Sequence, residues 1–322
     1  MKVTKALTAE QIPVIDISAL RAKNDIDTVA RSLVWAASEL GFIYVRGHGV
    51  SPKTIQDARS ASLQFFALPD ADKIDAEINT YHHGHLKAAS TVMYDGAKPD
   101  LKESFNFGIE LDSAAYGNLP QNPLLGPNKW PSALKNLKSH VYPFFEAASS
   151  CAEDLLRGFA VGVGLDENFF IRYRDRPVSR GSLQYYPPQT SGNDSAQFGV
   201  APHTDFGVLT VLCQDNIGGL ELQMLDGQWR AVPPIDDTLV INVGDLLERW
   251  SNGLFRSTPH RVINRSRKER LSLVLAYDPN FETPVVAQQL NSREPPKWES
   301  TTVGNYLIQR FEQAFPYRSA AK

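Results

Sequence analysis

Gly199-Val-Ala-Pro-His203-Thr-Asp205-Phe-Gly-Val-Leu-Thr-Val-Leu-Cys213 is the stretch on which the reading of this chain turns. Its Val, Leu and Thr content suits a buried β-strand. Residues two apart in a strand point to the same face, so His203 and Asp205 are expected to reach one ion from one side. A second histidine follows far downstream in Ser257-Thr-Pro-His260-Arg-Val-Ile263, another strand-like run. Two imidazoles and one carboxylate on one side of an ion leave the opposite positions open. That arrangement suits a non-haem ferrous centre with vacancies for a cosubstrate and dioxygen.

The triplet alone says little, because a strand histidine bonded to a nearby aspartate leaves the same letters. Arg270-Leu-Ser272 adds to it. This pair opens Arg270-Leu-Ser-Leu-Val-Leu-Ala-Tyr277, a clear strand pattern. Asn264-Arg-Ser-Arg-Lys268 between the two strands reads as a hairpin turn, which would lay Arg270 and Ser272 beside the strand of His260. A planar guanidinium next to a hydroxyl is what a buried carboxylate requires.

With these motifs in place, the chain resembles the isopenicillin N synthase-like family of iron/2-oxoglutarate-dependent dioxygenases over nearly its whole length. Ile12-Pro-Val-Ile-Asp16-Ile is similar to the family's opening strand, and Gly41-Phe-Ile-Tyr-Val-Arg-Gly47-His48-Gly49-Val to its G-F-F-x-V-x-N-H-G-I block, with Gly47 in the Asn place. Phe65-Phe-Ala-Leu-Pro69, Lys102-Glu-Ser-Phe-Asn-Phe-Gly108, Asn242-Val-Gly-Asp245 and Ser251-Asn-Gly-Leu-Phe-Arg-Ser-Thr-Pro-His260 match further blocks. Leu183-Gln-Tyr-Tyr186-Pro-Pro resembles L-x-N-Y-Y-P, with Gln184 in the Asn place. The resemblance implies Fe(II) at His203, Asp205 and His260, and the distal carboxylate of 2-oxoglutarate at Arg270 and Ser272, with a hydroxyl from Tyr186. It implies oxidation of a C–H bond of a small molecule, most commonly hydroxylation, with dioxygen consumed and succinate and CO₂ released. Two alternatives stay open. A synthase-type oxidase would cyclise a peptide without 2-oxoglutarate; Gln309 and Gln313 give no clear match to its extra glutamine ligand. A non-catalytic barrel would bind a small molecule or a structural zinc.

Composition bounds the rest. A chain of 322 residues buries roughly 75% of its unfolded surface and needs no disulfide staples. A net charge of −3 provides no general drive towards nucleic acid or an anionic membrane. Cys151 and Cys213 read as reduced buried thiols. No apolar run approaches a bilayer span, and Met1–Ile17 lacks a signal-peptide core. A cytoplasmic monomer acting on a small molecule is expected.

The first half reads as helical and the second as strands. Helices are expected from Ile26 to Leu40 with Gly41 at the C-terminal end, from Pro52 to Phe66 with Ser51 as N-cap, from Ser132 to about Gly162 with a kink at Pro143, and from Tyr306 to Phe315. Short β-rich runs at Val208–Leu212, Leu220–Met224, Thr238–Val243 and Arg270–Tyr277, separated by turn residues, argue for a β-sandwich or barrel. The family form is a double-stranded β-helix, or jelly roll, with helices packed along one sheet. One structural unit is expected, divided into a helix-rich region 1–175, a catalytic core 176–290 and a C-terminal helix within 291–322. Residues 79–130 read as an irregular connection. His82, His83 and His85 within it read as solvated or pocket-lining rather than as a second metal site. His48 reads as a turn or core histidine, Asp245 as a structural carboxylate, and Phe206 as core or pocket wall. The basic run from Arg261 to Arg270 reads as a solvated hairpin turn, with only Arg270 of it turning inward.

Overall fold

Side chains alternate between two environments along each central strand, and that alternation builds the molecule in layers. The computed structural model describes residues 5–7, 12–94, 96–112, 122–188, 198–288 and 294–319. Among them, a main sheet runs in the order β1 (Val14–Asp16), β2 (Phe42–Arg46), β10 (Leu239–Val243), β7 (Leu209–Gln214), β12 (Arg270–Tyr277), β5 (Arg180–Tyr186), β4 (Glu103–Phe107) and β3 (Gly84–Leu86). A smaller sheet faces it in the order β6 (Val200–His203), β11 (His260–Val262), β8 (Leu220–Gln223) and β9 (Trp229–Ala231). Neighbouring strands are antiparallel except β1 and β2.

One face of the main sheet is apolar and lies under helices. Ile43 and Val45 of β2, Val211 of β7, Ile241 of β10, and Leu271, Leu273 and Leu275 of β12 share a core with α1 (Ser18–Ala22), α2 (Ile26–Glu39), α3 (Pro52–Phe66) and α4 (Leu137–Gly162). Each fully buried side chain of this size contributes roughly 1.5–3 kcal/mol. The larger core lies on the helix side, and the other face carries polar groups beside a smaller apolar cluster that includes Phe42, Tyr44, Val240, Leu220 and Val262. That inner face holds Tyr186, Gln184 and Ser182 on β5, Arg270, Ser272 and Val274 on β12, and Thr210 on β7. The result is a double-stranded β-helix with helices on one sheet.

Helix ends follow local chemistry. Ser51 Oγ accepts from Thr54 N–H at 3.0 Å, with Pro52 at the first position of α3. Gly41, just past α2, has φ +70, and a Cβ there would stand 1.9 Å from the Arg256 carbonyl oxygen. The closing helix, α6 (Val303–Ala314), follows α5 (Asp245–Trp250) and precedes α7 (Pro316–Ser319). It begins before the expected Tyr306 because Thr302 caps it, accepting from Asn305 N–H at 3.2 Å. Ser132–Leu134 is a separate 3₁₀ turn ahead of α4, which runs through Pro143.

Several expectations need correction. The segment Gly199–Cys213 is two strands, not one: β6 ends at His203, β7 starts at Leu209, and they lie in different sheets. Asn264–Lys268 is not a hairpin, since β11 and β12 also belong to different sheets. Two strand-like runs close in sequence mimic a hairpin, but the buried faces of a sandwich can send the chain across instead. The region 79–130 contains β3 and β4, which extend the main sheet through β5. His82, His83 and His85 are all buried, so the solvated reading fails, while the pocket-lining one holds for His82. His85 Nε2 bonds Glu103 Oε1 at 2.6 Å, and Lys73 Nζ donates to the same oxygen at 2.7 Å. Arg261 is likewise turned in, donating from Nε at 2.8 Å to the fully buried Glu221, which Arg265 also reaches.

Candidate active site

His203, the last residue of β6, and His260, the first of β11, are register partners, with ring centroids 4.2 Å apart. Each ring is oriented by its own backbone. The Nδ1–H of His203 donates to the Ala201 carbonyl at 2.8 Å, and that of His260 to the Thr258 carbonyl at 3.1 Å. Those bonds fix the tautomer and leave both Nε2 lone pairs free. They converge on Asp205 Oδ1, at 3.7 Å from His203 and 3.6 Å from His260.

Asp205 reaches this point from a loop rather than from the strand of His203. Its other oxygen, Oδ2, accepts from Thr210 Oγ1 at 2.6 Å and Asn242 Nδ2 at 2.7 Å. The loop backbone is pinned from the start of α5: Asp245 N–H donates to the Asp205 carbonyl at 2.8 Å, and Gly244 N–H to that of Val208 at 3.1 Å. Gly244 permits this approach, since a Cβ there would stand 2.1 Å from the Gly207 carbonyl oxygen. Burial opposes ionisation of Asp205, but His260, His203 and the two hydrogen bonds outweigh it and hold the carboxyl below its usual range. Burial, and then His260, push the His203 imidazole towards its neutral form. One carboxylate oxygen and two imidazole nitrogens facing a common point are a donor set for a divalent cation. They form the one such group of three among the described residues.

The same cavity, about 70 Å³, extends to Arg270, Ser272 and Tyr186. Arg270 and Tyr186 are directly opposite on β12 and β5, as are Ser272 and Gln184. The Arg270 guanidinium lies 4.5 Å from the Tyr186 ring centre, and its Nε donates to the Gly218 carbonyl at 2.6 Å. Arg270 Nη1 and Ser272 Oγ are buried without a hydrogen-bond partner. Burial raises the Tyr186 phenol to about 12 against the opposing pull of Arg270, and its hydroxyl donates to Gln184 Oε1 at 2.7 Å. Tyr185 points to the other face, stacks on Phe66 and donates to Glu269 at 3.0 Å. Two orphaned donors at the end of a cavity whose other wall holds the triad fit a carboxylate that also approaches the metal position.

A second cavity, about 130 Å³, adjoins the first and shares Lys102, Gln184, Asp205 and Thr210 with it. Phe206 and His82 line it. His82 Nδ1 meets the Tyr317 hydroxyl, and its ring stacks on Phe311 at 4.6 Å. Asp245 is structural, accepting from Ser257 Oγ at 2.7 Å and the Tyr306 hydroxyl at 2.8 Å. His48 Nδ1 accepts from Val50 N–H at 3.1 Å, a turn bond. Sequence reasoning missed the anchoring of Asp205 by Thr210 and Asn242. The signal was a lone polar residue at an inward position of an apolar strand, as in Leu239-Val-Ile-Asn242-Val.

Comparison with known proteins agrees with this geometry. Residues 166–279 match the 2OG-Fe(II) oxygenase superfamily, and residues 12–133 match the N-terminal region described for the non-haem dioxygenase in morphine synthesis. The chain is 33% identical to Homoarginine-6-hydroxylase 2-ODD-C23 of Glycine max, over 85% of this chain and 87% of that protein. It superposes on a full-length Neurospora crassa protein in complex with alpha-KG and thymine with a TM-score of 0.84 and 28% identity, covering 96% and 99% of the two chains. It also superposes on JOX2 in complex with 2OG, Fe and JA with a TM-score of 0.78 and 26% identity, covering 92% and 84%. The chain belongs to the 2OG-Fe(II) oxygenase superfamily and is an oxidoreductase that uses Fe(II) and 2-oxoglutarate.

Proposed function

We propose that His203 Nε2, Asp205 Oδ1 and His260 Nε2 hold the ferrous ion, and that Arg270 and Ser272 hold the distal carboxylate of 2-oxoglutarate with Tyr186 beside them. The enzyme then hydroxylates a C–H bond of a small molecule placed in the second cavity. Bound here, Fe(II), 2-oxoglutarate and dioxygen supply the oxidising chemistry. The chain supplies position and dryness. The backbone bonds at Nδ1 aim the imidazoles, and Thr210 with Asn242 aims the carboxylate. Phe42 packs edge-on against His260 at 5.3 Å and helps to exclude water from the metal position. Arg270, oriented by Gly218 and stacked on Tyr186, offers a fixed guanidinium whose pairing with a buried carboxylate is charge-assisted.

The observation that carries this reading is the pair of orphaned buried donors, Arg270 Nη1 and Ser272 Oγ, in one cavity with the triad. Gln309 and Gln313 are exposed on α6, which disfavours a glutamine-ligated synthase-type centre at these positions. Free, buried Cys151 and Cys213 accord with a reducing compartment, and no helix among the described residues is long and apolar enough to cross a membrane. We take the enzyme to act as a cytoplasmic monomer. The test is succinate formation from 2-oxoglutarate with Fe(II) and dioxygen across a small-molecule library. Oxygen uptake that proceeds equally without any 2-oxo acid would overturn the assignment of Arg270 and Ser272.

A further inference from the structure

The inner face of the main sheet is laid out in rows, and the two ends of the lumen each carry a guanidinium. On β5 and β12 the inward pairs are Tyr186 with Arg270, Gln184 with Ser272, Ser182 with Val274, and Arg180 with Ala276. At about 3.4 Å per residue, the end rows lie roughly 20 Å apart. Ala276 is also the register partner of Thr210, and Thr210 that of Asn242. The residues that hold Asp205 therefore share a row with Arg180. Arg270 closes the lumen at one end, and Arg180 stands at the level of the metal ligands on the side of the second cavity.

Arg180 is held ready for an acceptor that the chain itself does not provide. Its Nη2 lies 3.5 Å from Asp278 Oδ2, and its guanidinium sits 4.7 Å from the Phe311 ring centre. Asp278 is in turn fixed by the N–H of Val208 at 2.9 Å. Arg180 Nη1 is buried and has no hydrogen-bond partner. Lys102 lines the same cavity, its Nζ 4.0 Å from Asp100 Oδ2, beyond hydrogen-bonding distance. Asp205, the one carboxylate lining this cavity among the described residues, is committed to the metal position. Each cation thus has one carboxylate of the chain nearby, Asp278 or Asp100, but Arg180 Nη1 is left without an acceptor beside a cavity whose own carboxylate is engaged elsewhere.

We propose, on the basis of the function assigned above, that the substrate is a small carboxylic acid whose carboxylate is taken by Arg180 with help from Lys102. A dry cavity of about 150 Å³ admits a benzene-sized molecule. The 130 Å³ space, which adjoins the metal cavity, is of that order and suits a compact acid. Holding the carboxylate at Arg180 places the rest of the molecule between Phe206 and the triad, so the carbons nearest the acid group are presented to the metal. A neutral heterocycle would offer Arg180 Nη1 no anionic acceptor.

The test is calorimetric binding to the protein loaded with 2-oxoglutarate and Zn(II) in place of Fe(II). The probes are hexanoate, cyclohexanecarboxylate, benzoate and phenylacetate, each beside its primary amide, together with uracil. At least one acid is expected to bind ten times or more tightly than its amide. Arg180→Met should abolish that preference while changing the 2-oxoglutarate Kd less than threefold. Because Arg180→Met also deprives Asp278 of its partner, Lys102→Met is the second arm, and it should reduce the preference with the Arg180–Asp278 pair intact. The proposal is overturned if every amide binds as well as its acid, if uracil binds more tightly than all four acids, or if the preference survives both substitutions. A wild-type 2-oxoglutarate affinity unaffected by Arg270→Leu would instead overturn the cosubstrate assignment.

Discussion

His260 pairs with His203 across β6 and β11, and the register of that strand pair shifts just beyond it, between His260 and Val262. The two imidazoles are thus brought together by main-chain geometry of the smaller sheet, while Asp205 is delivered from a loop tied to the larger one through Thr210 and Asn242. The metal position lies at the junction of the two sheets, and its integrity depends on both.

Asn242→Ala removes one of two hydrogen bonds from Asp205 Oδ2 without touching an atom proposed to bind metal. Partners of this kind typically contribute 10–100-fold to metal affinity. Fe(II) affinity, measured anaerobically with a competing chelator, is expected to fall by about that factor while the thermal unfolding curve stays cooperative. An affinity equal to wild type would mean that Thr210 alone orients the carboxylate.

Arg270→Leu removes a charge-assisted partner from a desolvated carboxylate, a loss of about 2–5 kcal/mol. The apparent KM for 2-oxoglutarate should rise well over tenfold, with Fe(II) affinity in the absence of cosubstrate little changed. Ser272→Ala should give a smaller rise, about 1 kcal/mol.

Tyr186 and Tyr185 are adjacent but face opposite sides of the sheet. Tyr186→Phe deletes the hydroxyl beside Arg270 and should weaken 2-oxoglutarate binding by about 0.5–3 kcal/mol. Tyr185→Phe removes only the bond to Glu269, and cosubstrate affinity should not change. A larger loss at position 185 would contradict the inward orientation of Tyr186.

Asp100 provides a pH signature. Burial raises its carboxyl to about 6, against the lowering effects of Lys102 and the Ala201 N–H. Its folded value lies above the unfolded value near 3.9, so the folded state binds more protons between these limits. Its contribution is fully present below pH ~4 and is lost as pH rises through ~6, a fall of about 3 kcal/mol at most. Urea denaturation of wild type and Asp100→Asn at several pH values checks this. Wild type should lose stability relative to the variant from pH ~4 to ~7. A difference that is flat with pH contradicts the raised value.

Legibility in the sequence followed local chemistry. Ser51-Pro52 announced α3 because a cap and a preset φ act within one turn, and Arg270–Tyr277 announced β12 because its alternation separates lumen from helix face. The triad letters and Arg270-Leu-Ser272 were visible, but the route that joins them was not. Periodicity describes a strand and not its sheet, so the crossing between β6 and β7, and that between β11 and β12, read as one strand and one hairpin. Arg180 escaped notice because Arg180-Gly-Ser-Leu carries no sign that Asp278 and Phe311 fold over it. The burial of the histidines near β3 was not legible, because Tyr317 beside His82 and Glu103 beside His85 are remote in sequence.

The most direct test of the account is a crystal structure of the protein grown anaerobically with Fe(II) and 2-oxoglutarate, with anomalous data at the iron edge. One strong iron peak is expected within bonding distance of His203 Nε2, Asp205 Oδ1 and His260 Nε2, with a 2-oxoglutarate carboxylate at Arg270 Nη1 and Ser272 Oγ. An iron peak away from that triad, or a cosubstrate carboxylate seated elsewhere with Arg270 Nη1 still unpaired, would contradict it.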